Sequence, residues 1–330
     1  VLSVTACVSM GTAAISLGQV WGILLHQIPG LNHWLPRPDW PASSEQILLK
    51  VRLPRVVLGI LIGASLAVAG AGFQGVLRNP LADPYTLGVS SGASVGAAFI
   101  ILFGLQYSIA GEWSVPLVAF ATGMITLWLV VKLAQVQGKL RMETLILAGV
   151  VMQAFLGAAV SFMVSMTNQV VNDILFWLMG SLTMRGWSYS GILLPYLLVG
   201  LFVLLGCGRS LNLFTLGERQ AAYLGVHVER TKLIVLGVST LVTAAAVSVS
   251  GVIGFVGLIV PHLIRLMTGP DYRLLLPLSA IGGALYVVWA DTLARMVLSP
   301  VEIPLGVVTA FLGAPFFAYL LYQHKKTIKG

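Results

Sequence analysis

Charge is what this sequence has least of. Only 9% of its 330 residues are Asp, Glu, Lys or Arg, against roughly a quarter in a soluble domain, so most of the chain cannot face water. Cysteine is nearly absent. Cys7 and Cys207 each lie in or beside an apolar run without CxxC spacing, and read as small buried hydrophobes rather than as a disulfide or metal pair. A phosphate-binding loop is missing too. The one Gly-Lys pair, Gly138-Lys139, is followed by Leu140, and Leu133 stands where such a loop needs its first glycine. HExxH, GxSxG and metal-spaced His/Cys clusters do not occur, and His26, His33, His227, His262 and His324 are dispersed. No catalytic residue, bound metal or bound cofactor is expected, and ATP hydrolysis by this chain is not expected either.

What fills the chain is apolar sequence in long runs. Hydrophobic residues make up 58% and the mean hydropathy is +0.94. A spanning helix needs about 20 apolar residues, so there is room for roughly ten spans with short loops. In lipid only helices and closed barrels satisfy their own backbone, and the runs lack the period-2 alternation of a barrel. The expected fold is all-α, one polytopic transmembrane domain over residues 1–330. The expected spans are Val4–Leu25, Ile47–Leu77, Thr86–Leu105, Ser114–Val136, Thr144–Met166, Tyr189–Cys207, Thr231–Val249, Gly251–Met267, Leu274–Leu298 and Leu305–Tyr322. The chain opens at Val1 with no basic flank, so its first run reads as a span rather than a signal peptide. The eighth run is short, Gly-rich and carries Pro261, His262 and Arg265; a re-entrant segment is its alternative.

The basic residues orient the bundle. Of 19 lysines and arginines, 13 fall on the side of the termini and six on the other, namely Arg37, Lys50, Arg52, Arg55, Arg185 and Arg295. The positive-inside rule then puts both termini in the cytoplasm. The formal charge of +8 comes from scattered residues, not a stripe, so no nucleic-acid partner is expected. The segment from His26 to Gln46 is an irregular external loop rich in proline, including Pro36 and Pro38. The longest cytoplasmic loop, Arg209 to Arg230, contains Gly217-Glu218-Arg219-Gln220-Ala221-Ala222-Tyr223-Leu224-Gly225. Glu218 to Leu224 suits a short helix ended by Gly225, either a solvated connector or a docking element.

Within the spans, Asp291 and Arg295 share a helix face at i,i+4, which reads as local neutralisation. Without a second buried acid, a proton-coupled carrier is disfavoured but stays the main alternative. Gly59, Gly63, Gly70, Gly72 and Gly75, then Gly88, Gly92 and Gly96, let helices approach closely. Gly72-Phe73-Gln74-Gly75 before Pro80 is echoed by Gly254-Phe255-Val256-Gly257 before Pro261. Their opposite directions hint at an inverted repeat.

Several segments in order resemble the FecCD-type (BtuC-like) permeases of ABC importers for iron-siderophores, haem and cobalamin. They are Arg52-Leu53-Pro54-Arg55, Asn79-Pro80-Leu81-Ala82-Asp83-Pro84, Leu87-Gly88-Val89, Leu145 to Val150, and the Gly217–Gly225 loop. Phe255 to His262 with Arg265, Asp291 to Arg295, and Glu302-Ile303-Pro304-Leu305-Gly306-Val307 complete the set. The resemblance implies a multi-pass subunit of the bacterial cytoplasmic membrane that pairs with a second copy or a paralogue. Two cytoplasmic ATPase subunits would use the ATP, an extracytoplasmic binding protein would deliver the ligand, and membrane lipid would surround the whole. By similarity, Gly217, Glu218, Arg219, Gln220, Ala221, Leu224 and Gly225 form the ATPase-coupling loop, and Leu81 and Met142 plug a cytoplasmic gate. Met142 departs from the smaller polar residue the family often has there. Arg52, Arg55 and Arg295 break the positive-inside rule together, and are expected to dock acidic residues of the binding protein. The cargo is expected to be a large metal chelate. Siderophore iron is the first choice because it is the broadest class of that family; haem and cobalamin remain open.

Overall fold

The computed structural model describes residues 2–11, 15–29, 40–108, 110–136 and 139–329. Pro36, Arg37, Pro38 and Gly138 lie outside the described residues. Helices come in the order α1 (Leu2–Ser9), α2 (Leu17–His26), α3 (Ala42–Gln46), a π-helical turn (Ile47–Arg52), α4 (Leu53–Leu77), a 3-10 turn (Pro84–Leu87) and α5 (Val89–Leu102). After a second 3-10 turn (Gly111–Trp113) come α6 (Ser114–Ala134), a two-residue β-pair (Gln135–Val136 with Lys139–Leu140), α7 (Met142–Ser165), α8 (Val171–Leu178) and α9 (Trp187–Gly206). Then follow α10 (Gly208–Phe214), α11 (Glu218–Tyr223), α12 (Val228–Ser250), α13 (Val256–Thr268), α14 (Tyr272–Met296) and α15 (Leu305–Lys329). The all-α bundle matches the sequence expectation. Among the described residues, six stretches are long and apolar enough to cross a membrane, and Val89–Leu102, Val256–Thr268 and Leu305–Tyr319 are shorter apolar helices.

The bundle is organised around α4. It starts on Pro54, which needs no N–H there, and ends where Arg78 turns left-handed (φ 48°) ahead of Asn79-Pro80. Nearly every residue between is buried, because α9, α12, α13 and α14 pack round it. α4 and α14 run antiparallel and meet at three levels. Arg55 meets Asp291 at one end, Gly63 meets Gly283 in the middle, and Gly75 meets Tyr272 at the other end. A Cβ on Gly63 or Gly283 would land on the other's backbone, and one on Gly70 would land on Gly257. The glycine pattern thus produces backbone-to-backbone packing.

The two echoed glycine motifs pack on each other. Pro261 has no N–H for the carbonyl of Gly257, and Gln74 Nε2 donates to that oxygen at 3.2 Å and to Leu258 O at 3.3 Å. The eighth expected span begins irregularly. Gly251 (φ 73°) and Phe255 (φ 68°) bracket a non-helical lead-in to α13. Such backbone survives at membrane depth only when buried in protein. Here Ser181 N donates to Ser250 O (2.8 Å) and Tyr85 Oη donates to Ile253 O (3.0 Å).

One expected span needs correction. Val4–Leu25 is not continuous. α1 ends near Gly11, where a Cβ would strike the Arg52 guanidinium. α2 restarts on a Ser16–Gln19 capping box and packs Val20 and Ile23 against Leu48 beyond the start of α4. α8, α10 and the β-pair went unanticipated, being too short for a span signal. Gly63→Leu should lower stability by about 1–3 kcal/mol or more, as overpacking against backbone does. Gly237→Ala in α12, where a Cβ meets only open space, should be neutral or stabilising by about 0.5–1 kcal/mol. Thermal unfolding in detergent measures both.

Candidate functional site

Each end of the α4–α14 pair carries a polar cluster. At the Arg55 end, Arg55 Nε and Nη2 reach Asp291 at 2.9–3.1 Å while Nη1 donates to both Glu302 oxygens at 3.0 Å. Arg295 Nε takes the other side of Asp291 at 3.1 Å, the i,i+4 neutralisation read from the sequence. Thr183 Oγ1 donates to Glu302 at 2.8 Å. Burial pushes the Glu302 carboxyl up, but Arg55 and the Thr183 hydroxyl outweigh it and hold it below the usual range.

The same arginines close the broken first helix. Arg52 Nη1 donates to Val8 O and Ser9 O, both at 3.0 Å. Arg295 Nη1 and Nη2 donate to Met10 O (3.0 Å) and Cys7 O (3.3 Å). These are the last carbonyls of α1, which have no helical partner, and cations suit that end of a helix dipole. Sequence reasoning expected outward-facing guanidinium forks. Arg52 and Arg295 are instead 6% and 8% exposed, and within this chain their guanidinium groups form an internal clamp. Trp187 Nε1 similarly takes Leu49 O in the π-helical turn (3.1 Å). A cavity of about 610 Å³ opens at this end, lined by Glu112, Asp173, Trp177, Arg185 and Tyr189 among others. Neither that cavity nor the roles of Glu302 and Thr183 were read from the sequence, because they depend on contacts between distant segments.

The opposite end gathers the other predicted residues. Gly217 (φ 113°) and Gly225 (φ 86°) bracket α11, one residue shorter than expected. Ala221 is buried in the main core, whereas Leu216, Tyr223 and Leu224 project apolar surface, Tyr223 at 90% exposure. Arg219 and Gln220 are exposed, and Glu218 points inward to Lys232 (2.7 Å). Leu81 is exposed on a turn fixed by Asn79 Oδ1, which accepts Leu81 N at 2.9 Å. Met142 begins α7, half-buried against the main core. The Pro84–Leu87 turn between them lies against α7, with Thr86 O where a Cβ of Gly149 would be. Asp83 caps that turn by accepting Tyr85 N (2.9 Å), and burial pushes its carboxyl up to about 6.

Asp291→Asn removes the buried charge shared by Arg55 and Arg295 and leaves Glu302 as the one carboxylate bonded to the pair, so unfolding should need about 3–5 kcal/mol less. Thermal or denaturant unfolding of the detergent-solubilised protein measures it. Asp83 has the reverse sign. A carboxyl raised in the folded state contributes most at low pH, and that contribution is lost as pH rises from about 4 to about 6. Asp83→Asn keeps the acceptor but cannot ionise. It should stabilise the protein at pH 8 by up to about 3 kcal/mol and have little effect at pH 4, read from melting curves at both values.

Comparison with known proteins places this geometry in company. The FecCD transport family matches residues 1–323. An uncharacterized ABC transporter permease protein of Bacillus subtilis, YvrB, is 44% identical over 98% of this chain and 91% of its own length. The cobalamin import system permease protein BtuC of Halobacterium salinarum is 42% identical over 97% of this chain and 88% of its own. A solved inward-facing conformation of a metal-chelate type ABC transporter superposes with a TM-score of 0.82 at 32% identity. That match covers 98% of this chain and 97% of the solved one.

Proposed function

This chain belongs to the FecCD transport family, and we propose that it is the membrane-spanning permease of an ABC importer that moves a large metal chelate into the cytoplasm. The observation that carries this reading is the whole-chain match to the solved metal-chelate type transporter. It is supported by exposed apolar surface at the Glu218 end of the bundle. α11 and its flanks expose Leu216, Tyr223 and Leu224 around a helix fixed by buried Ala221, an arrangement that favours a protein partner over water.

On this reading the Glu218 end is cytoplasmic, both termini share that side, and two ATPase subunits seat α11. The exposed α7 residues Leu147, Val150, Val151 and Phe155 fit lipid and a second permease copy or paralogue. Leu81 and Met142 stand at the inner end of the pathway between the copies. A binding protein docks at the Arg55 end, where Arg52, Arg55 and Arg295 hold the loops it meets. Iron-siderophore complexes are the proposed cargo, with haem and cobalamin in the same size class. A secondary carrier is disfavoured by Asp291, the acid buried deepest in the spans, being already held by two arginines.

Reconstituted vesicles test the proposal. Uptake of a ferric siderophore should require ATP, the ATPase and the binding protein; uptake driven by a proton gradient alone would overturn it. Leu224→Asp should abolish both uptake and ATPase co-purification, because seating a carboxylate against an apolar partner surface costs several kcal/mol. The variant permease should still elute as a folded protein. Normal ATPase capture by Leu224→Asp would remove α11 as the contact.

A further inference from the structure

Lys232 is the most buried ammonium among the described residues, 2% exposed on the first turns of α12. A buried cation is tolerated only with partners, and it has two. Nζ donates to Glu218 Oε2 of α11 at 2.7 Å and lies 3.4 Å from Glu229 Oε1. The second oxygen of Glu229 does something else. It accepts the backbone N–H of Leu140 at 3.2 Å. Leu140 is itself buried, closes the β-pair, and stands two residues before Met142, where α7 begins. A continuous line of hydrogen-bonded groups therefore joins α11 to the start of α7, through a buried centre.

We propose that Lys232 is a positioning residue that transmits the movement of α11 to the N-terminus of α7, and so to the gate at Met142. The inference rests on the function proposed above. The physical reason is the asymmetry of a buried ion pair: separating it leaves an uncompensated charge, so the groups move together rather than apart. Contiguous ion-pair and hydrogen-bond chains between rigid elements carry coupling in this way. Glu218 and Glu229 are partly exposed, 32% and 42% by side chain, so the buried ammonium is the link that binds the chain together.

Spin labels at Gln220→Cys on α11 and Glu143→Cys on α7, made singly in the full permease–ATPase complex, test it without any substrate. Both labels should change line shape between the nucleotide-free and ATP–vanadate states. In Lys232→Met, the Gln220 label should still respond and ATP hydrolysis should continue, while the response at Glu143 is lost. Lys232→Arg should restore it. Should Lys232→Met fail to assemble, Glu229→Ala, which removes the acceptor of the Leu140 N–H, must show the same split. A Glu143 response that persists in these variants overturns the relay. So does loss of both responses together, which would make Lys232 a residue that only holds the fold. No response at Gln220 in the unmutated complex would overturn the function proposed above and the relay with it.

Discussion

A backbone group without a hydrogen-bond partner is far more costly in hydrocarbon than in water, and two apolar helices gain little from lipid by meeting. α4 answers both constraints with glycine. Its close approach to α14 at Gly63–Gly283 and to α13 at Gly70–Gly257 brings main chains into contact. At that depth Gln74 can reach the carbonyl that Pro261 leaves open. Once the middle is fixed, the ends follow. The register that seats Gly63 on Gly283 also brings Arg55 to Asp291, and at the far end it sets Gly75 against Tyr272. Tyr272 is tied to Asn212 and Arg265 in turn.

Features carried by local spacing were legible in the sequence. The Asp291–Arg295 pair, the helix between Gly217 and Gly225, and most of the spans depend on residues within a few turns of each other. The glycine runs declared close packing but not their partners. Features made by distant segments were illegible: nothing in the spacing joins Arg55 to Glu302, or Glu229 to the N–H of Leu140. The first span failed for a different reason. Val4 to Leu25 carries no charged residue, so hydropathy sees one run, while Gly11 and the Ser16 capping box divide it in two. The three arginines were noticed because they break a charge rule, which marks a residue as unusual but not which way its guanidinium points.

That direction changes what the arginines are for. An exposed ion pair contributes about 0–1 kcal/mol, whereas a buried arginine that satisfies helix-end carbonyls removes desolvation penalties from both sides. Arg52 and Arg295 bind the end of α1 to α4 and α14, and Arg55 binds Glu302, and through it Thr183, to the same pair. Four separate segments of chain therefore converge on Asp291, which is 2% exposed.

The two ends of the bundle consequently differ in kind. At the Arg55 end Asp291 is buried, and Asp291 and Glu302 are each held by more than one donor, so a displacement there breaks several contacts at once. At the Glu218 end the carboxylates are partly exposed, α11 is a six-residue helix, and its apolar tips have no cover within the chain. Local opening free energies follow that distribution: few buried contacts and exposed tips mean easier movement. Under the proposed function, a bundle clamped at one end and yielding at the other would rock about the clamp. In the proposed importer, force applied at α11 would then appear as motion of α7 near Met142, while the α4–α14 pair stays in register at Gly63 and Gly283.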